Sequence, residues 1–189
     1  MERTDVDASF VRNLVREQHP DLAGLEVRPV PSGWDNQPTL TEGFESSLDA
    51  VAEVVDVHRA REVWHQAIAA PSWTGPAVWL HGDLHPANAV IADGTISGIV
   101  DFGELCAGDP AIDLAAAWKL LPQGASAEFL SAYGVTDEAT VHRAQGWAVL
   151  TALGLVSVGQ AWERGLPGGQ PTWGRAGRRI LERVFDFAA

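Results

Sequence analysis

The chain contains a single cysteine, Cys106, in 189 residues, which excludes an internal disulfide and any zinc site built from several thiolates. It has no run of about 18 consecutive apolar residues, so no segment reads as a membrane-spanning helix. Its opening, MERTDVDASF, has no basic region followed by an apolar core, so no signal peptide is expected and the expected location is the cytoplasm. Positive charge is scarce, with 13 Lys and Arg against 25 Asp and Glu, a net charge of −12 and a pI near 4.7. A nucleic-acid partner is therefore not expected, because binding a phosphate backbone rests on clustered Lys and Arg. An acidic surface suits a cationic small molecule, although net charge chiefly reports solubility. Lysine occurs once, at Lys119. With 46% hydrophobic residues, the chain can bury a core in one domain or slightly more. No repeat and no low-complexity tract interrupts it.

What is present is concentrated between His81 and Gly103, HGDLHPANAVIADGTISGIVDFG. Asp93-Gly94 between apolar runs is a strong hairpin signal. Strands over 88–92 and 95–100 would pair around it, with Asn88 opposite Ile99. Alternation then puts Asn88, Ile99 and Asp101 on one face, with Asn88 and Asp101 as diagonal neighbours roughly 7–8 Å apart. Two short oxygen-bearing side chains at that separation can hold one hard cation such as magnesium. Asp83 lies five residues before Asn88, on a loop that His85-Pro86 keeps out of helix. A carboxylate there can orient a substrate hydroxyl and accept its proton while the cation holds the phosphates, the division of labour of phosphoryl transfer. The competing reading is a polar turn before an ordinary surface hairpin.

H-G-D-L-H-P-A-N followed by I-V-D-F-G-E-L-C-A-G-D-P-A-I-D-L-A resembles the aminoglycoside phosphotransferase family, part of the protein-kinase-like group. The resemblance covers 54–184 well and 10–36 more loosely. It implies that Asp83 is the catalytic base and that Asn88 and Asp101 are the magnesium ligands, with ATP as phosphoryl donor. It implies supporting roles for His81, His85, Asp109 and Asp113, with Asp113 bracing the catalytic loop. As a residue in its own right, Asp113 equally suits a first-turn carboxylate favoured by the helix dipole. The motifs specify the family and no particular acceptor.

Taken in order, Asp7 or Ser9 can cap a first helix ending at His19-Pro20, and 25–30 alternates as a short edge strand containing Pro29. Ser32-Gly33 sits in a turn that the resemblance places over the nucleotide phosphates; by itself it is only a turn signal. After Asn36 the family pattern breaks. A member would continue with further strands, a phosphate-holding lysine, a helix with its partner Glu, and an adenine-binding hinge. Here PTLTEGFESSLDAVAEVV has helical periodicity, and Lys119 follows the metal motif, so it cannot take that lysine's place. An internal loss of most of the small lobe is the expectation. Residues 1–37 then form a remnant of the N-terminal nucleotide-binding lobe and 38–189 the helical catalytic C-terminal lobe. The fold class is α+β and mainly helical, the C-terminal lobe of a protein-kinase-like fold with a β-hairpin carrying the metal ligands.

Further helices are expected over 48–55 (capped by Ser46 or Ser47), 57–69, 111–121, 126–132, 137–161 and 173–187, with a strand over 77–80 and a loop over 104–109. Ala60, Val63, Trp64 and Ile68 form an apolar stripe, and Asp109-Pro110 suits a helix start. His58 and His65 read as solvated rather than as ligands. Cys106 reads as packed, and Arg175, Arg178, Arg179 and Arg183 as a solvated or salt-bridged face. The eight tryptophans are scattered over separate helices, which favours core packing over a sugar-stacking surface.

These readings lead to an ATP-dependent phosphotransferase acting on a hydroxyl of a small molecule, such as an aminoglycoside or similar antibiotic. The alternative is a catalytically impaired remnant acting as a binding or self-associating module, with a homodimer through the apolar surface left by the missing lobe. A metallophosphoesterase would need further His, Asp and Asn ligands in separate motifs, which the chain does not supply.

Overall fold

The computed structural model describes residues 37–134 and 137–187, together with Arg16 and Gly24. The chain divides into two compact units, Met1–Ser32 and Gly33–Ala189. The expected first helix, the strand over 25–30 and the Ser32-Gly33 turn lie outside the described residues.

The expected break in pattern after Asn36 coincides with a helix, α1, Gln37–Val51. It begins earlier than the sequence suggested. Ser47 does not cap it but lies inside it, its hydroxyl donating to the Gly43 carbonyl one turn back, a local bond that serines make within helices. Helix α2, Val57–Ala69, is capped by Asp56, whose side chain accepts from the Arg59 amide. Its buried stripe is Ala60, Val63, Trp64 and Ala67, so Ala67 takes the inward position expected of Ile68, which is half-buried. His58 and His65 point to solvent.

Strand β1, Val78–Leu80, leads to a 3-10 turn at Pro86–Asn88. Next come β2, Ala89–Ala92, and β3, Thr95–Ile99. A second 3-10 turn, Phe102–Glu104, leads into β4, Cys106–Gly108. The residues expected as a loop thus include a strand: β4 pairs antiparallel with β1, Leu80 opposite Cys106 and Val78 opposite Gly108. Cys-Ala-Gly is too short to show a strand period, so only its partner reveals it. Cys106 is exposed, which corrects the packed reading. Short edge strands leave one face of each residue to solvent.

Helices α3, Ala111–Leu114, and α4, Ala116–Lys119, replace the single helix expected over 111–121. They are followed by α5, Ser126–Tyr133, α6, Glu138–Glu163, and α7, Trp173–Phe187. Asp137 caps α6 by accepting from the Thr140 amide at 2.7 Å.

The long helix α6 is the centre of the bundle, packed by α1, α2, α3 and α7. Its Ala144, Ala148, Val149, Ala152, Leu153 and Val156 are fully buried. Phe44 of α1 stacks on Trp64 of α2, ring centroids 4.5 Å apart. Helices α6 and α7 approach so closely that a Cβ on Gly159 would run into the backbone of Gly174. Arg183 of α7 does not sit on a purely solvated face. Its Nε donates to the Trp118 carbonyl at 2.7 Å and its Nη2 to that of Lys119 at 3.4 Å, tying the end of α4 to α7. No helix among the described residues is long and apolar enough to cross a membrane.

Candidate active site

The hairpin forms at the expected turn. Asp93 and Gly94 have φ of 50° and 76°, the pair of positive angles that a type I′ turn requires and that matches the twist of the flanking strands. Its register differs from the expected one. Ile91 faces Ile96 and Val90 faces Gly98, so Ser97 is an extra residue on β3, a β-bulge. The Ser97 hydroxyl donates to the Val90 carbonyl at 3.2 Å. Beyond the bulge Ala89, not Asn88, lies opposite Ile99, and the Val100 amide donates to the Asn88 carbonyl at 3.0 Å. One extra residue reverses the face of everything beyond it. Strand alternation therefore does not set the relation of Asn88 to Asp101. Asn88 closes a 3-10 turn, and Asp101 leaves β3 in the left-handed region, φ 63° and ψ 67°.

Side-chain bonds fix Asn88 instead. Asn88 is buried. Its Nδ2 donates to the Asp83 carbonyl at 2.9 Å and to Asp83 Oδ2 at 3.3 Å. That use of the nitrogen leaves Oδ1 as the end able to face a cation. The Asp101 side chain makes no bond to the turn that it begins. An amide oxygen and a carboxylate are the hard donors that magnesium takes, usually completed by substrate phosphates and water. Among the described residues no three His, Cys, Asp or Glu side chains form a metal cluster, and a magnesium site of this kind needs none. The donor set fits.

Two histidines hold the loop around Asp83. His81 Nε2 lies 2.9 Å from the Val100 carbonyl, which can only accept, so Nε2 carries the proton. Its Nδ1 then accepts from the Asp83 amide at 3.3 Å. His85 shows the same logic. Its Nδ1 accepts from the Ala87 amide at 3.3 Å, and its Nε2 lies 3.4 Å from Asp83 Oδ2. The His85 ring meets that of Trp173 of α7 at a steep angle, centroids 5.5 Å apart. Asp83 Oδ2 is thus held by both His85 and Asn88, while Oδ1 has no partner among the described residues. The Asp83 side chain is about half exposed, at 47%.

Beneath the loop, Asp113 Oδ2 accepts from the His81 amide at 2.6 Å and Oδ1 from the Gly82 amide at 3.1 Å. Gly82 has φ 84°, and a Cβ there would strike the Glu104 carbonyl, so this turn needs glycine. Asp109 plays two parts. Oδ1 accepts from the Ala111 amide at the start of α3, 3.0 Å, and Oδ2 from Arg143 Nε at 2.7 Å. Arg143 is buried, at 2% exposure, and its Nη1 donates to the Pro71 carbonyl. The pair joins β4, α6 and the loop after α2.

Two further ionisable groups lie near the loop. Although Cys106 is exposed, partial loss of hydration pushes its thiol up, with the Asp113 and Glu104 carboxylates adding to the effect, which argues against a nucleophilic thiolate. Lys119 is 4% exposed. Burial depresses its ammonium from 10.5 to about 8, while the charges of Asp113 and Asp83 act to raise it. The lysine that sequence reasoning set aside therefore lies within electrostatic reach of the loop. Its signal was its setting, A-A-A-W-K-L-L, a lone charge in an apolar run. The Asp109–Arg143 pair was also missed, because its members are 34 residues apart and no spacing rule links them.

A cavity of about 300 Å³ opens beside the loop, lined among others by Trp79, Leu84, Ile96, Asp113, Phe129 and Tyr133. Ser32 and Gly33, the expected nucleotide contacts, lie outside the described residues.

Residues 16–153 match the model of the phosphotransferase enzyme family. This covers more than half of the chain. The chain belongs to that family. The match bears out the resemblance read from H-G-D-L-H-P-A-N and I-V-D-F-G. No curated protein and no solved structure matches the chain. The mixture of helices with two small sheets is consistent with the kinase-like C-terminal portion of such a phosphotransferase.

Proposed function

We propose that this phosphotransferase moves the γ-phosphoryl group of ATP onto a hydroxyl of a small molecule. One observation carries the reading: Asp83 presents a half-exposed carboxylate with one oxygen fixed by His85 and Asn88 and the other without a partner among the described residues. In this role Asp83 Oδ1 accepts a hydrogen bond from the acceptor hydroxyl, aligns its oxygen with the γ-phosphorus, and takes the proton as the new O–P bond forms and the bond to ADP breaks. His85 and Asn88 stop the carboxylate from rotating away. Asn88 Oδ1 and Asp101 would hold magnesium, which when bound supplies charge neutralisation at the phosphate oxygens. The net charge of −12 favours a cationic acceptor, and an aminoglycoside has that character. A chain of this kind works in the cytoplasm, where ATP is found.

The test is calorimetry of ATP binding with magnesium. Micromolar affinity, lost in Asp101→Ala, supports the reading. No heat at millimolar ATP overturns it.

A second reading has its own observation. Where the resemblance calls for further nucleotide-binding strands, the chain forms helix α1, and its only lysine is buried in α4. Under that reading the chain is an impaired remnant. It self-associates through the apolar side chains exposed on its small sheets and the turn between β3 and β4, among them Trp79, Ile91, Phe102 and Leu105.

A further inference from the structure

Asp83 is held by His81, His85 and Asn88, all from its own loop. One of the three is itself held from the far end of the chain. The His85 side chain is nearly buried, with Nε2 3.4 Å from Asp83 Oδ2 and Nδ1 accepting from the Ala87 amide at 3.3 Å. Both separations are long for hydrogen bonds. The outer torsion of a histidine is also broad, so these two bonds by themselves let the ring rock. A neighbour sets its plane. The rings of His85 and Trp173 meet at 62° with centroids 5.5 Å apart, a separation at which aromatic rings attract.

Trp173 cannot simply follow the loop, because it opens α7 where that helix is locked to α6. A Cβ on Gly159 would run into the Gly174 backbone, and one on Gly177 into the Ala152 carbonyl. The chain entering α7 is fixed as well, the Gln170 amide donating to the Val158 carbonyl at 3.4 Å. The Trp173 side chain packs against the apolar core. Beside the two rings lies a cavity of about 140 Å³, bordered by Pro86, Ala87, Leu155 and Ala176. The loop is therefore not close-packed on the bundle here, and the indole carries the contact.

We propose that Trp173 is a positioning residue for the phosphoryl-transfer loop: its ring fixes the plane of the His85 imidazole, and the imidazole fixes the Asp83 carboxylate. With the indole in place, Nδ1 faces the Ala87 amide and Nε2 faces Asp83 Oδ2. Without it the imidazole turns about its outer torsion, Oδ2 loses one of its two partners, and the carboxylate swings through a wider arc. A base held loosely spends less time aligned with its hydroxyl. The catalytic consequence rests on the reading of Asp83 as the base; the holding of the ring does not.

Carbon-13 relaxation of the His85 ring in the full chain tests this, with His85→Gln assigning its signal among the six histidines. The wild-type ring should be as ordered as rigid backbone, with an order parameter of about 0.85. Trp173→Leu should lower it below about 0.6, while protection of the Thr140 amide that Asp137 caps stays as in the wild type. Trp173→Phe keeps an aromatic ring at the site and should keep the ordered value. An unchanged order parameter in Trp173→Leu would mean that the loop alone holds His85, and would overturn the proposal. A wild-type ring already below about 0.6 would overturn it too. Trp173→Met fills the space with a flexible chain and takes the place of Trp173→Leu if the latter does not fold. In turnover, Trp173→Leu should lower kcat about tenfold at unchanged KM for ATP, with Trp173→Phe near the wild type. Equal kcat in all three would overturn the catalytic consequence. A chain with no turnover would sink the phosphotransfer reading, while the ring order still decides whether Trp173 holds His85.

Discussion

The helical bundle and the sheet-and-loop region are built on opposite terms. In the bundle, Phe44, Trp64, Ala148, Val149 and Ile180 are wholly out of water, and helices meet through glycine and alanine. In the small sheets, Trp79 is 66% exposed and Ile91 59%, and each sheet has two strands, a size that is marginal in water by itself. The polar network that holds the sheets and loop lies between the two regions. Asp113 reaches from α3 to the His81 and Gly82 amides, and Arg143 reaches from α6 to Asp109. Apolar burial makes the bundle stable, while directed hydrogen bonds make the loop definite. Substitutions in the two regions should therefore separate stability from chemistry.

The largest separation is expected at Asp83. Asp83→Asn keeps size and hydrogen bonding but removes the proton acceptor, so phosphoryl transfer should fall by about 10²- to 10⁴-fold. The melting temperature should scarcely move, because a half-exposed side chain contributes little packing. Turnover near the wild-type rate would remove Asp83 from the mechanism. Trp64→Ala should do the reverse. It deletes a buried ring stacked on Phe44, at a cost of about 3–5 kcal/mol in unfolding free energy. At temperatures below the lowered melting point, its ATP affinity by calorimetry should match the wild type. A change in affinity as large as the change in stability would mean that the two regions are not separable.

Lys119 is a charge buried in the bundle, and its pH dependence has a definite sign. The folded value, about 8, lies below the ordinary 10.5, so between those values the unfolded chain binds more protons than the folded one. Stability from this group therefore rises with pH across that window. Below about pH 8 the whole cost of the buried charge stands, about 3 kcal/mol for that interval, and above 10.5 it is gone. Lys119→Met should accordingly be more stable than the wild type at pH 7, by up to about 3 kcal/mol. The gap should narrow toward pH 10 in denaturant unfolding. A gap that widens with pH would show the wrong sign.

How much of this was readable in advance follows from range. The helices over 57–69 and 173–187 match Val57–Ala69 and Trp173–Phe187, because periodicity and caps are local. Asp93-Gly94 gave its turn for the same reason. The register did not follow, since the bulge at Ser97 depends on a cross-strand bond to Val90 that no single-strand pattern shows. Strand β4 was invisible because three residues, Cys106–Gly108, become a strand only through β1. The candidate site residues stand out in the sequence as a motif. The bonds that orient them do not: the Asn88 amide turned inward to Asp83, the histidine tautomers, and the burial of Lys119 are all set by neighbours distant in sequence or by loop geometry.

The smallest expected effect lies on the exposed face of the hairpin. Ile91 on β2 is mostly in water, so Ile91→Ser should change the unfolding free energy of the monomer by no more than about 0.5 kcal/mol. Its value as a test lies elsewhere. Val90, Ile91 and Ile96 are all exposed on this one hairpin, and exposed apolar surface in contact with water costs roughly 25 cal/mol per Å². If a second copy covers these side chains, replacing Ile91 by serine removes apolar contact from each side of the interface. A C₂ pairing would count the change twice. Sedimentation velocity at micromolar concentration should then show a wild-type dimer and an Ile91→Ser chain shifted toward monomer, although the two unfold alike. A wild type that sediments as a monomer would mean that water covers the hairpin face in solution, and the self-associating reading would lose its surface.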